Sequence, residues 1–355
     1  MINLQDYIQQ VESLETDEQA HAVSQNPLSE AYELGWAKSA LYGAPPRKPP
    51  ELLRSGAFPL FAGFYYAWGG LPYPKEHAVF ALQLKALGFE QHAKKMACFQ
   101  QAMLDSTGKV IPSFYAQEQT RGYYETTQLS KELIEECAPD SLPAFFVDEE
   151  LGFARQEYTE GCALFFGSGC LSGQGAFLSR QGGVVNFGPQ TTPLGDCSGF
   201  GIAGSAKQFQ VEEKRVSALS TLGKECERSF VLPQIKEAEL GTQWLKAEAD
   251  FEEDLLSLTC TQQALYKVEP ITYALYLKGE CCAVSKLHRL KPRSLDRYQG
   301  PPGEMEVGGV RIQFGKGVES LEVRPLAGDE SFWGADFVAL LTVKPSFTID
   351  FSLSS

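Results

Sequence analysis

Two short segments concentrate residue types that hold polar ligands. Ser113-Phe-Tyr-Ala-Gln-Glu-Gln-Thr-Arg-Gly-Tyr-Tyr-Glu125 combines phenols, carboxylates and an arginine, and Ser331-Phe-Trp-Gly-Ala-Asp336 centres on an indole. Aromatic rings stack on sugar faces, amides and carboxylates bond hydroxyls, and a guanidinium grips a carboxylate with two parallel hydrogen bonds. Tyr115, Glu118, Arg121 and Trp333 therefore stand out as ligand-binding candidates. The same residues have a plainer use, with Trp333 plugging the end of a β-sandwich and the tyrosines sealing an interface between two parts of the chain.

Other chemistry finds no support in residue spacing. The loop Gly167-Ser-Gly-Cys-Leu-Ser-Gly-Gln-Gly175 has Ser172 where a dinucleotide fingerprint needs its third glycine, and no Lys-Ser/Thr pair follows it. Ala176–Ser179 reads as a strand, so the loop is expected to be a glycine-rich β-hairpin and not a phosphate cradle. His21, His77, His92 and His288 form no His-x-x-x-His pair, and no Cys-x-x-Cys occurs. Cys281 and Cys282 are adjacent, so a strand points them to opposite faces. Neither a metal nor a cofactor is expected. Gly-x-Ser-x-Gly is absent in its strand-to-helix form, and Asp105-Ser-Thr-Gly108 reads as a helix end and turn.

The bulk properties narrow the partners. Of the net charge of −14, residues 1–140 carry 11 Lys and Arg against 17 Asp and Glu, and the remainder 20 against 28. Neither part has the basic excess that counterion release on a polyanion requires, so nucleic acid is excluded. No apolar run reaches the roughly 18 residues of a membrane span; Phe58–Trp68 stops at Gly69-Gly70. The nine cysteines, an odd number, and a polar amphipathic start over residues 2–15 predict reduced thiols in a cytoplasmic setting.

The elements that must position these residues fall into two regimes. Only 9 of the 33 glycines lie in the first 140 residues, as expected where helices dominate, because glycine weakens a helix interior by about 1 kcal/mol against alanine. Ala93, Met96, Ala97, Gln100, Met103 and Leu104 recur at helical spacing, predicting a helix over about 90–105. A preceding helix over about 75–87 starts after Pro74 and stops at Gly88. Further helices are expected near 4–15, 17–24, 29–42, 57–68 and 124–137, interrupted by the stiff stretch Gly43-Ala-Pro-Pro-Arg-Lys-Pro-Pro50. From Phe145 the period becomes two. Leu245, Ala247, Ala249 and Phe251 alternate with charged residues; Val310, Ile312 and Phe314 alternate with Arg311 and Gln313; Phe347, Ile349, Phe351 and Leu353 do the same. The prediction is an α+β multidomain chain: a helical domain over 1–140, then a large antiparallel β-sandwich over 145–355.

Within that sandwich, Gly173-Gln-Gly-Ala-Phe-Leu-Ser-Arg-Gln-Gly-Gly-Val-Val-Asn-Phe-Gly-Pro-Gln190 with Pro193-Leu-Gly-Asp196 resembles the sandwich opening of heparinase II/III-type polysaccharide lyases. As an architecture the resemblance covers residues 160–355. It implies a "supersandwich" of strands and a glycan held between the helical part and the sandwich. Lyases of this kind remove the proton α to a uronate carboxylate with a Tyr or His base. Here Gln174, Gly175, Ala176 and Phe177 stand where the family has its sandwich histidine, so the resemblance assigns no catalytic residue. If the chain is an enzyme, it is of the lyase kind. The expectation is a polysaccharide or oligosaccharide bound in an inter-domain cleft, where Tyr115, Glu118 or Arg121 face Gln174, Gln190 or Trp333, with Asp196 on the neighbouring loop. The alternative is a non-catalytic protein-interaction or structural module whose helical part docks a protein partner.

Overall fold

The computed structural model describes residues 52–57, 74–114, 121–167, 173–190, 202–203, 209–222, 243–268, 270–285, 287–326 and 332–354. The expected helices near 4–15, 17–24 and 29–42, the 57–68 helix beyond Ala57, and the 43–50 connector lie outside the described residues. Three helices are described: α1 (Pro74–Ala86), α2 (Glu90–Ala102) and α3 (Arg121–Cys137). A 3-10 turn, Pro112–Phe114, lies between α2 and α3. No helix among the described residues is long and apolar enough to cross a membrane.

The strands begin with β1 (Phe145–Asp148), β2 (Phe153–Tyr158), β3 (Gly161–Phe166), β4 (Gly175–Ser179) and β5 (Gly182–Gln190). β6 (Ile202–Ala203), β7 (Gln210–Glu212), β8 (Arg215–Leu222), β9 (Gln243–Glu252) and β10 (Leu255–Ala264) follow. Next come β11 (Thr272–Lys278), β12 (Cys282–Val284), β13 (His288–Leu290), β14 (Tyr298–Gly300) and β15 (Met305–Val307). The last are β16 (Val310–Phe314), β17 (Val318–Pro325), β18 (Phe337–Val343) and β19 (Ser346–Leu353).

They form two antiparallel sheets. One has the order β1-β2-β3-β4-β5-β11-β18-β17-β14, and the other β13-β12-β15-β16-β19-β10-β9-β8-β6, with β7 alongside β8. The inward positions of both sheets form one core that includes Phe177, Phe187, Phe251, Leu258, Tyr273 and Ile349. Phe187 stacks on Phe351 across it, with ring centroids 5.2 Å apart. The alternating runs named from the sequence supply this core, because period-two alternation turns every apolar side chain to the same face.

The helices lie on the other face of the β1-to-β14 sheet. Phe99, Ala102 and Met103 of the α2 segment share a second core with Phe153, Leu164, Phe166, Val185 and Tyr276 of the sheet. A third core joins the helices to one another through Phe80 and Leu84, Met96, and Leu133. Thus α2 buries two flanks, one on its neighbouring helices and one on the sheet. The α1 terminus shows why the hairpin is tight: Phe89 N–H donates to Leu84 O and Gly88 N–H to Lys85 O, each at 2.9 Å, with Gly88 at φ +85°. That is the Schellman pattern, which glycine completes without strain. At the far end of α2, the guanidinium of the buried Arg155 donates to Gln101 O at 2.6 Å and pairs with Glu157. Arg155 places positive charge on the negative helix end and ties α2 to β2.

One buried histidine gives the helical layer a pH response. Gln100 Nε2 donates to Pro74 O (3.0 Å) and to Ser130 Oγ (2.8 Å), so its oxygen faces His77 Nδ1 at 2.7 Å. His77 Nδ1 therefore carries the proton, and Nε2 is buried with no hydrogen-bond partner of good geometry among the described residues. Burial lowers the His77 pKa from 6.5 to about 4. Below pH 6.5 the unfolded chain takes up a proton that the folded chain refuses until about pH 4. Stability is thus fully present above 6.5 and falls as pH drops through that window, by on the order of 3 kcal/mol. Asp148, whose carboxyl pKa burial raises, acts with the opposite sign. We expect urea unfolding to show this loss in the wild type and much less of it in His77→Asn, which keeps a donor toward Gln100 but does not titrate. Equal pH dependence in both proteins would contradict the assignment.

Candidate functional site: a polar pocket at one edge of the sandwich

The structure brings the Ser113-Phe114 start of one aromatic cluster against the Trp333 turn of the other. The 3-10 turn Pro112–Phe114 packs on β5 and on a second turn, Phe332–Gly334. Between them β5 bulges. Tyr276 pairs with Asn186 but Leu277 with Val184, which leaves the Val185 carbonyl free to accept from Ser113 Oγ at 2.5 Å. Asn186 is fully buried; its Oδ1 accepts from Phe187 N–H at 3.0 Å.

This junction is packed with side chains. Trp333 is 5% exposed and meets Tyr276 edge-on at a 4.7 Å centroid distance. Gln174 is not part of it: 1% exposed, its amide oxygen accepts from the hydroxyl of Tyr273 at 2.6 Å, a residue of the core between the two sheets. Both candidates are enclosed, because the indole contributes more by covering apolar surface than by facing water. Arg121 opens α3 and Gln190 ends β5, but their side chains are outside the described set. Tyr115, Glu118 and Asp196 lie outside the described residues altogether.

The strands on either side of the glycine-rich loop do form a hairpin: β3 pairs antiparallel with β4, and strand begins at Gly175. Asp105 is spent within its own turn, its Oδ1 accepting from Thr107 N–H and Oγ1–H and from Lys109 N–H.

An open cavity of about 620 Å³ lies elsewhere, at the β12–β13–β15 edge. Glu280, Cys281, Ala283, Arg289, Glu306 and the Gly308-Gly309 turn line it, and Gln181 of the β4–β5 turn closes one end. Strand register explains the arrangement. Ala283 pairs with Arg289 on one side and Glu306 on the other, and Glu306 pairs in turn with Arg311. All four lie on the outer face, since Cys282, Val284, Met305 and Val307 point into the core. The small Ala283 forms a floor, with Arg289 and Glu306 on its flanking strands about 9.5 Å apart at the backbone. Arg311 is taken by Glu304 at 3.0 Å. Glu280, Arg289 and Glu306 form no ion pair among the described residues. The sequence reading missed this pocket; its one local signal was the Cys281-Cys282 pair at opposite faces.

That pair also makes a test. Cys281 is exposed and Cys282 buried, and burial pushes the Cys282 thiol up to about 12, as it does Cys162. Alkylation of native protein, read peptide by peptide, should modify Cys281 fast and Cys162, Cys260 and Cys282 only on unfolding. Equal labelling of Cys281 and Cys282 in native protein would contradict the register of β12.

No family model matches the chain, and no curated protein matches it. Among solved structures, the crystal structure of 4-alpha-glucanotransferase from Thermococcus litoralis is similar at a TM-score of 0.36 and 12% identity, over 98% of this chain and 57% of that one. A superposition at that score sets no residue of this chain against a residue of the enzyme, so the pocket is judged on its own geometry.

Proposed function

We propose that this chain binds a polyhydroxylated ligand, an oligosaccharide or a short stretch of polysaccharide, in the β12–β13–β15 pocket, on a sandwich of the lyase-like kind. One observation carries the reading: a single open cavity gathers two carboxylates, a guanidinium, an amide and glycine backbone around an alanine floor. Carboxylates accept from sugar hydroxyls, and a guanidinium or amide donates to them. Among the described residues, Glu280, Arg289 and Glu306 have no ion pair to break first.

The proposal is one of binding. Among the described residues, the groups with large titration shifts, His77, Tyr158, Cys162, Cys260, Tyr273 and Cys282, are buried and none lines the pocket. An acid–base pair would have to face the ligand. Leu287 and Leu295, 87% and 97% exposed, favour a second reading, a protein partner at the same edge.

Calorimetric titration with neutral and charged oligosaccharides tests the proposal. We expect binding by the wild type that is lost in Ala283→Phe, whose ring fills the floor, with the melting temperature unchanged. Heat from none of the sugars, or undiminished binding by Ala283→Phe, would overturn it.

A further inference from the structure

Building on that reading, we infer that the pocket selects sugars bearing a free ammonium group over N-acetylated, neutral or uronate sugars. The cross-strand row runs Arg289, Ala283, Glu306, Arg311 over β13, β12, β15 and β16. The arginine at its inner end, Arg311, is ion-paired with Glu304 and does not line the cavity. What remains facing the cavity is one guanidinium, Arg289, against two carboxylates, Glu280 and Glu306.

These opposite charges do not neutralise each other. Arg289 and Glu306 stand on the two strands that flank β12, and the Ala283 methyl is too short to bridge them. A ligand spanning the floor meets a guanidinium on one flank and the Glu306 carboxylate on the other, in a cavity whose lining carries one more negative than positive charge. An amino sugar fits both ends. Its ring or hydroxyl oxygens accept from Arg289, and its ammonium sits toward Glu306, where three N–H donors can be used, while Glu280 adds a second negative charge to the same cavity. A uronate brings a carboxylate into a pocket that already holds two, and like charges brought together oppose binding. An N-acetyl group removes the charge that the two glutamates favour.

The charged side chains are exposed, so the preference is one of modest, salt-sensitive charge pairing. Glucosamine oligomers, their N-acetylated counterparts, cello-oligosaccharides and oligouronates would be titrated into the full chain at low and high salt. We expect the glucosamine oligomer to bind about three- to tenfold tighter than the N-acetylated one at low salt. That advantage should shrink in high salt and in Glu306→Gln, and the oligouronate should bind most weakly. Glu306 faces outward, so the variant should melt where the wild type does.

Failure of the inference differs from failure of the function. If all four sugars bind alike, or Glu306→Gln keeps the full preference, the selectivity is wrong while sugar binding stands. If no sugar binds the wild type, both are wrong.

Discussion

Gly308→Ala should lower stability by roughly 3 kcal/mol or more, whereas Gly88→Ala should cost only about 1–2 kcal/mol. Both glycines have left-handed backbone, φ +52° and +85°, so both substitutions carry the conformational penalty. They differ in what the new methyl meets. At Gly308 an added Cβ would lie 2.5 Å from Gly183 N and from Lys278 O, while at Gly88 nothing lies within 4 Å. Backbone atoms of a paired sheet cannot swing aside as a side-chain tip would. The contact is a seam between the two sheets, where the β4–β5 turn meets the β15–β16 turn and Ser179 Oγ donates to Gly308 O at 2.5 Å. Urea unfolding of the two variants beside the wild type measures the contrast, and equal losses would contradict the seam.

Trp333→Ala should destabilise by about 3–5 kcal/mol, as truncation of a buried aromatic does, and leave oligosaccharide affinity of the folded protein unchanged. The indole belongs to the core between helices and sheet, with Phe114, Tyr276, Ala335 and Val338. Thermal unfolding and calorimetric titration of the same preparation separate the two effects. Unchanged stability with lost binding would instead move the ligand site to this junction.

The difference between Trp333 and the pocket shows what a single sequence can disclose. Local periodicity was sufficient for α2, for the β9, β16 and β19 alternations, and for the hairpin after β3, since each depends on residues two to four apart. Residue type singled out Trp333, but it does not tell an indole that binds a sugar from one that seals a core. Phe99 escaped the helical stripe because α2 is packed on two sides, and its sheet-facing flank falls off a single-face pattern. The pocket lay further from view. Gln181, Glu280, Arg289 and Glu306 meet only through the pairings β12–β13 and β12–β15 and the approach of the β4–β5 turn. Each is an ordinary solvated charge or amide in its own segment, and register alone makes them neighbours.

The most direct test of the pocket as a ligand site uses the thiol on its wall. Cys281 lines the cavity and is exposed, so its alkylation rate reports occupancy, and peptide-level mass spectrometry separates it from the other cysteines. At an oligosaccharide concentration that saturates the calorimetric signal, Cys281 alkylation should slow severalfold while the rates at the half-buried Cys98 and Cys137 stay constant. An unchanged Cys281 rate at saturation would show that the sugar binds somewhere else and would contradict the account.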